Sequence, residues 1–249
     1  MNIIVNELLI NYEIIGKNKK TILFIHGWGD DHNNLKLAFQ ELKKNYQLVF
    51  LDLPGFGASQ RPPLDYDLDK YALVVKEFVS KLGIKVDILI THSFGGSVAI
   101  KALSKGYLNV DKLILLASSG IRFTSLKKNR IKKLYLAPAK AMLLPLPKNV
   151  QNKIVKGYYK RRGSDLYLRE DLMPVFRRIV AEDIRKDATL IKIPTLLIYG
   201  EQDQETPIQY GYLLHEAIDH SSLEIITSAG HFVFKDRPER VLKLVQEFL

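Results

Sequence analysis

Cysteine is absent from the 249 residues, so neither a disulfide nor a thiolate metal site is available. No apolar run approaches the ~20 residues that a membrane helix needs. The opening stretch, MNIIVNELLINYEIIG, has no basic leader and is interrupted by Asn6, Glu7 and Asn11, which does not match a signal peptide. Internal repeats and low-complexity tracts are missing too. No H-E-x-x-H or comparable cluster suggests a metal site. The glycines of HSFGGS lack the Lys-Ser/Thr ending of a phosphate loop, and HGWGD is not G-x-G-x-x-G. These absences lead us to expect a soluble, cytoplasmic protein with no metal and no cofactor. What is present is a hydrophobic fraction of 47%, enough for a sizeable core in one large α/β domain or two small ones.

The formal net charge is +10, and its location matters more than its size. Between Arg122 and Asp187 there are 18 Lys and Arg against 6 Asp and Glu. The rest of the chain holds 19 basic and 21 acidic residues, so one segment carries the whole excess. Such a segment suits an acidic carrier protein or an anionic membrane surface, or is simply a solvated face. No recognition motif accompanies it, so nucleic acid is not expected as a partner.

Hydrophobic patterning divides the chain into alternating strands and helices. Residues 3–15 alternate weakly and suit two antiparallel edge strands. Buried strands are expected at 21–27, 47–55, 86–90, 111–120, 193–200 and 222–230. Helices are expected at 33–44, 69–82 (with Gly83 as its stop), 94–105, 208–218 and 238–249. This rhythm predicts a mostly parallel eight-stranded sheet with helices on both faces. It breaks over 121–190, a basic, mostly helical stretch read as an inserted cap on a core of 1–120 and 191–249. The apolar part of that stretch, LYLAPAKAMLLPLP, is too short and too rich in proline to span a membrane.

Active sites in parallel sheets form at the carboxyl ends of the strands. Three strand ends carry reactive groups here. Ser93 follows the strand at 86–90 in THSFGG, Asp203 follows 193–199 in YGEQDQETP, and His231 follows 222–227 in SAGHF. A serine hydroxyl is a poor nucleophile until a base takes its proton, and His231 would be that base. Asp203 would fix the imidazole tautomer and stabilise the imidazolium. Glu201 and Glu205 are weaker candidates for the acid. The stretch LLASSG supplies no carboxylate, and Asp52 in DLPGFG reads as a structural hydrogen-bond acceptor for its turn. Among the other histidines, His26 and His92 read as packing residues, and His215 and His220 as surface residues. His32 would line the entrance.

Six stretches, FIHGWG, DLPGFGAS, THSFGGS, LLIYGEQD, SAGHF and PERVLKLVQEFL, resemble the motifs of the α/β-hydrolase superfamily in its order and spacing, over nearly the whole chain. The cap, from SSGIR onward, resembles that of bacterial carboxylesterase-like hydrolases. The resemblance implies an α/β-hydrolase fold with Ser93, Asp203 and His231 as catalytic triad, in the family's chain order. It implies an oxyanion hole made by the backbone N–H groups of Trp28 and Phe94. One departure is Thr91, which stands where the serine elbow usually has glycine.

The expected activity is hydrolysis of a small or medium acyl ester through an acyl-enzyme on Ser93. The cap would cover a largely apolar pocket lined by Leu136, Met142, Leu143 and Leu144, with His32 and Phe232 beside it. Serine at 93, where dehalogenases and epoxide hydrolases of this fold carry aspartate, argues against those two chemistries. Three other readings stay open: an esterase for methyl esters bound to acyl carrier protein, a carbon–carbon bond hydrolase, and a non-catalytic ligand-binding protein.

Overall fold

The computed structural model describes residues 1–122, 147, 150 and 170–249. The chain divides into two compact units, Met1–Ile121 with Asp171–Leu249, and Arg122–Glu170. The sheet and its helices belong to the first. Residues 171–190, expected in the cap, therefore cluster with the sheet. Their apolar positions explain this, because Leu172, Val175, Ile179, Ile184 and Ala188 all join the main core.

Eight strands form one sheet in the order β1-β2-β4-β3-β5-β6-β7-β8. They are β1 (Asn2–Val5), β2 (Leu8–Ile15), β3 (Thr21–Ile25), β4 (Gln47–Leu51), β5 (Ile88–His92), β6 (Lys112–Leu116), β7 (Thr195–Gly200) and β8 (Ser221–Ile226). The pairs β1–β2 and β2–β4 are antiparallel, and all the others are parallel. The strand order reverses between β3 and β5, and crevices at the carboxyl end of a parallel sheet open at such a switch point.

Both faces of the central strands are buried, which is why they read as continuous apolar runs. Leu23, Ile25, Leu89, Leu113, Leu115, Leu197 and Tyr199 face one core. Ile22, Phe24, Ile88, Ile90, Ile114, Leu116, Leu196 and Ile198 face the other. The first core is closed by α2 (Leu68–Leu82), α3 (Phe94–Ser104), α4 (Met173–Ala181), α5 (Arg185–Ala188) and α6 (Ile208–Ala217). The second is closed by α1 (His32–Phe39), α7 (Val233–Asp236) and α8 (Pro238–Phe248). Phe24 stacks on Phe50 with ring centroids 4.4 Å apart and on Phe39 at 5.8 Å. Burying a side chain of this size contributes roughly 1.5–3 kcal/mol.

Local signals set the helix ends. The Asp67 side chain accepts from Lys70 N at the start of α2, and Gly83 ends that helix in the left-handed conformation. Asp31 caps α1 by accepting from Asn33 N. α1 stops at Phe39 and the chain continues as a 3₁₀ turn, Gln40–Lys44, rather than as one helix to residue 44. A partly buried ion pair ties α3 to α5: Lys101 Nζ lies 2.9 Å from Asp187 Oδ2, and it also lies 2.5 Å from Glu182 Oε1 ahead of α5.

Candidate active site

The carboxyl ends of the central strands lie in register. Ile25 of β3 pairs with Thr91 of β5, Thr91 with Leu115 of β6, and Leu116 with Ile198 of β7. The residues that follow these strands therefore share one edge of the sheet.

Ser93 stands between β5 and α3 with φ 48° and ψ −113°, a left-handed backbone that a non-glycine residue adopts only under constraint. The constraint is visible. Ser93 N donates to Leu116 O at 2.9 Å, and Ser93 O accepts from Gly96 N at 3.0 Å and Ser119 N at 3.1 Å. Glycine at 95 lets α3 approach β3, because a Cβ there would lie 2.4 Å from Ile25 O and 2.6 Å from His26 O. Thr91 is accommodated two residues before the serine. It is fully buried, and its hydroxyl donates to Ile114 O in β6 at 3.4 Å.

His231 Nε2 lies 3.0 Å from Ser93 Oγ, and His231 Nδ1 lies 2.8 Å from Asp203 Oδ2. The Nδ1 proton therefore donates to the carboxylate, and Nε2 is free to accept from the serine hydroxyl. Asp203 is fully buried at its side chain, whereas His231 is 13% exposed. The carboxylate is held on both oxygens. Oδ1 accepts from Glu205 N at 2.8 Å and Thr206 N at 3.0 Å, and Oδ2 accepts from Thr206 Oγ1 at 2.7 Å. Glu201, a weaker candidate for the acid, accepts instead from Ser228 N at 3.1 Å.

Behind the imidazole stands His92. Its ring is 4.8 Å from that of His231 and 5.0 Å from that of Phe232, and its Nε2 donates to His231 O at 3.0 Å. Burial, reinforced by the neighbouring His231, pushes the His92 pKa well down, so this ring stays neutral. Its Nδ1 is buried with no hydrogen-bond partner among the described residues. Phe232 lies 5.6 Å from His231, edge to face.

The loop after β3 reaches the nucleophile. A Cβ on Gly27 would lie 3.3 Å from Ser93 Cβ. His26 anchors this loop: its Nδ1 donates to Gly27 O at 2.7 Å, and its Nε2 accepts from Leu53 N at 3.0 Å. Trp28 follows, its ring edge-on to Phe94 at 5.6 Å, Phe56 at 4.9 Å and Phe176 at 5.0 Å. Neither Trp28 N nor Phe94 N donates a hydrogen bond among the described residues.

His32, expected at the entrance, forms a cluster with Asp52 and Glu13. Its Nδ1 lies 2.8 Å from Asp52 Oδ1 and its Nε2 3.5 Å from Glu13 Oε2. Asp52 also accepts from Asn11 Nδ2 at 2.8 Å, Ala58 N at 3.0 Å and His32 N at 2.9 Å. Burial alone would raise the Asp52 pKa, but these donors outweigh it and hold the carboxyl well below the usual range. The hydrogen bond to Asp52 raises the His32 pKa in turn. The expected pocket residues Leu136, Met142, Leu143 and Leu144 lie outside the described residues. Thr206 was not singled out from the sequence. Its signal is the spacing D-x-x-T, which sets a hydroxyl and two backbone N–H groups around one carboxylate.

Among the described residues, no group of three or more His, Asp or Glu is placed to hold a metal ion, and no helix is long and apolar enough to cross a membrane.

Comparison with known proteins matches residues 22–244 to the alpha/beta hydrolase family model. The AB hydrolase superfamily protein YisY of Bacillus subtilis is 30% identical over 244 residues, covering 92% of this chain and 91% of its own. Monoacylglycerol lipase ABHD6 of Bos taurus is 29% identical over 93% of this chain and 76% of its own. The esterase EaEST of Exiguobacterium antarcticum shares the fold, with a TM-score of 0.76 at 24% identity, over 99% of this chain and 98% of its own. A family match across the sheet, the serine elbow and the strand ends that carry Asp203 and His231 leaves one conclusion: the chain belongs to the alpha/beta hydrolase family, with proteins named monoacylglycerol lipase among its relatives.

Proposed function

We propose that the protein is a carboxylic ester hydrolase that works through an acyl-enzyme on Ser93. One observation carries the reading: the hydrogen-bonded line from Ser93 Oγ through both nitrogens of His231 to Asp203 Oδ2. His231 Nε2 takes the Ser93 proton as Oγ attacks the acyl carbonyl. Asp203 stabilises the imidazolium, and the N–H groups of Trp28 and Phe94 take the developing oxyanion. His231 then protonates the departing alcohol. Water, activated by the same nitrogen, attacks the acyl-enzyme and releases the acid.

For the substrate, the 29% identity to proteins named monoacylglycerol lipase supports testing acylglycerols beside simple esters. The basic excess between Arg122 and Asp187 supports a substrate presented on an acidic carrier or an anionic surface. A cap within residues 121–190 would cover the acyl chain, and the cytoplasm fits a chain without cysteine.

The test is hydrolysis of p-nitrophenyl esters from acetate to laurate and of monoacylglycerols, by wild type beside Ser93→Ala. Turnover that disappears in the folded variant supports the reading, and the preferred chain length sizes the pocket. Equal turnover in both proteins overturns it.

A further inference from the structure

Among the described residues, the Thr206 hydroxyl is the one group outside the mechanism above that hydrogen-bonds with both Asp203 and His231. It lies 2.7 Å from Asp203 Oδ2, 3.0 Å from Ala117 O and 3.2 Å from His231 Nδ1. The residue is 3% exposed, so water does not compete for these contacts. A hydroxyl has one proton and faces two acceptors here. The carboxylate oxygen is both the nearer and the charged one, and charge-assisted hydrogen bonds are the stronger. The proton therefore goes to Asp203 Oδ2, the oxygen that also receives the His231 Nδ1 proton. The turn after β6 supports the same geometry. Ala117 is left-handed, with φ 46°, and its N–H is fixed by Ile198 O at 2.8 Å. Its carbonyl closes the far side of the threonine hydroxyl.

We infer that Thr206 is a positioning residue of this site: its hydroxyl shares Asp203 Oδ2 with His231 and, together with two backbone N–H groups, fixes the carboxylate plane that aligns the imidazole with Ser93. This inference rests on the proposed roles of Ser93, His231 and Asp203. Without the hydroxyl, His231 is the one side-chain partner of Oδ2 among the described residues. The carboxylate is then free to turn about the two backbone bonds on Oδ1, and His231 loses alignment with Ser93.

Among the described residues, the titratable groups facing the His231 ring are Asp203 and His92, and neither is altered in Thr206→Val. Lys235 lies over the Phe232 ring, and Asp236 accepts from Gly230 N, so both stay in place as well.

The experiment follows the His231 Nδ1–H resonance by NMR at one fixed pH in isotope-labelled wild type, Thr206→Val and Thr206→Ser, with the resonance assigned by its loss in His231→Asn. The expected result is a displaced or exchange-broadened Nδ1–H resonance in the valine variant and the wild-type resonance in the serine variant. Ester turnover in the valine variant should fall roughly tenfold in kcat with KM unchanged. A wild-type Nδ1–H resonance in Thr206→Val overturns the inference, as does a serine variant that behaves like valine, since the methyl group would then be what matters. Should Thr206→Val fail to fold, Thr206→Ala replaces it against the same serine comparison. The resonance is read without substrate. Absent turnover in wild type would therefore sink the ester-hydrolase reading and still leave the role of Thr206 decided by the resonance.

Discussion

Gly95→Ala is the sharpest structural probe of the serine elbow. A Cβ at this position would stand 2.4 Å from Ile25 O, 2.6 Å from His26 O and 2.8 Å from Ile25 C, all of them backbone atoms that cannot rotate away. Restoring a tolerable separation of about 3.0 Å requires α3 and β3 to part by at least ~0.6 Å. Ser93 lies at the N-terminal end of α3, so its Oγ moves with the helix and the 3.0 Å contact to His231 Nε2 is disturbed. A displacement near 1 Å costs about a hundredfold in rate, so a fall in kcat of roughly 10- to 100-fold is expected. Overpacking of this kind also costs about 1–3 kcal/mol, or roughly 2–12 °C in Tm for a chain of this size. The comparison variant is Gly83→Ala. No atom lies within 4 Å of its Cβ, but its φ is +63°. It should lose about 1 kcal/mol from backbone strain and keep its kcat. Ester kinetics and thermal melts on both proteins decide the matter. A Gly95→Ala enzyme with wild-type kcat would refute the packing argument.

Two further outcomes follow from the same geometry. Asp203→Asn keeps an oxygen for the N–H groups of Glu205 and Thr206 but turns an amide toward His231 Nδ1, which favours the wrong tautomer. Its kcat should fall by roughly 10³- to 10⁴-fold, with an unchanged melting profile. His32→Gln tests the buried cluster around Asp52. The His32 pKa is raised above 6.5, so its charged pairing contributes fully below that pH and is lost as pH rises through the folded value. The Asp52 pKa is depressed below 3.8, so its contribution is present above that pH and is lost as pH falls through the folded value. The difference in Tm between wild type and His32→Gln should therefore peak between about pH 4 and 6.5 and shrink toward pH 9. A pH-independent difference would contradict the pairing.

Much of the fold was legible because burial on both sheet faces leaves uninterrupted apolar runs, and a parallel sheet needs them. Strand ends were less so. The run 111–120 stops as a strand at Leu116 because Ala117 turns left-handed, and 222–230 stops at Ile226 because Ser228 does the same. Left-handed alanine and serine carry no local signal of the kind that glycine gives. The strand before the serine runs over Ile88–His92 rather than 86–90, since Asp87 is occupied with Thr21 across the sheet. Ser93, Asp203 and His231 were legible from chain order at strand ends. Thr206 was not, because D-x-x-T alone does not show that the hydroxyl also meets His231, 25 positions away in sequence. The pairing of His32 with Asp52 and Glu13 was not legible either, because those partners come from other segments, beyond the reach of any local pattern.

The central claim is that Ser93 is an activated nucleophile. The most direct test is reaction with a fluorophosphonate probe, read by intact mass and peptide mapping in wild type, Ser93→Ala and His231→Ala. A single phosphonyl group on Ser93, absent from Ser93→Ala and strongly slowed in His231→Ala, is the predicted result. A folded wild-type protein that stays unlabelled, or that is labelled at another residue, would contradict it.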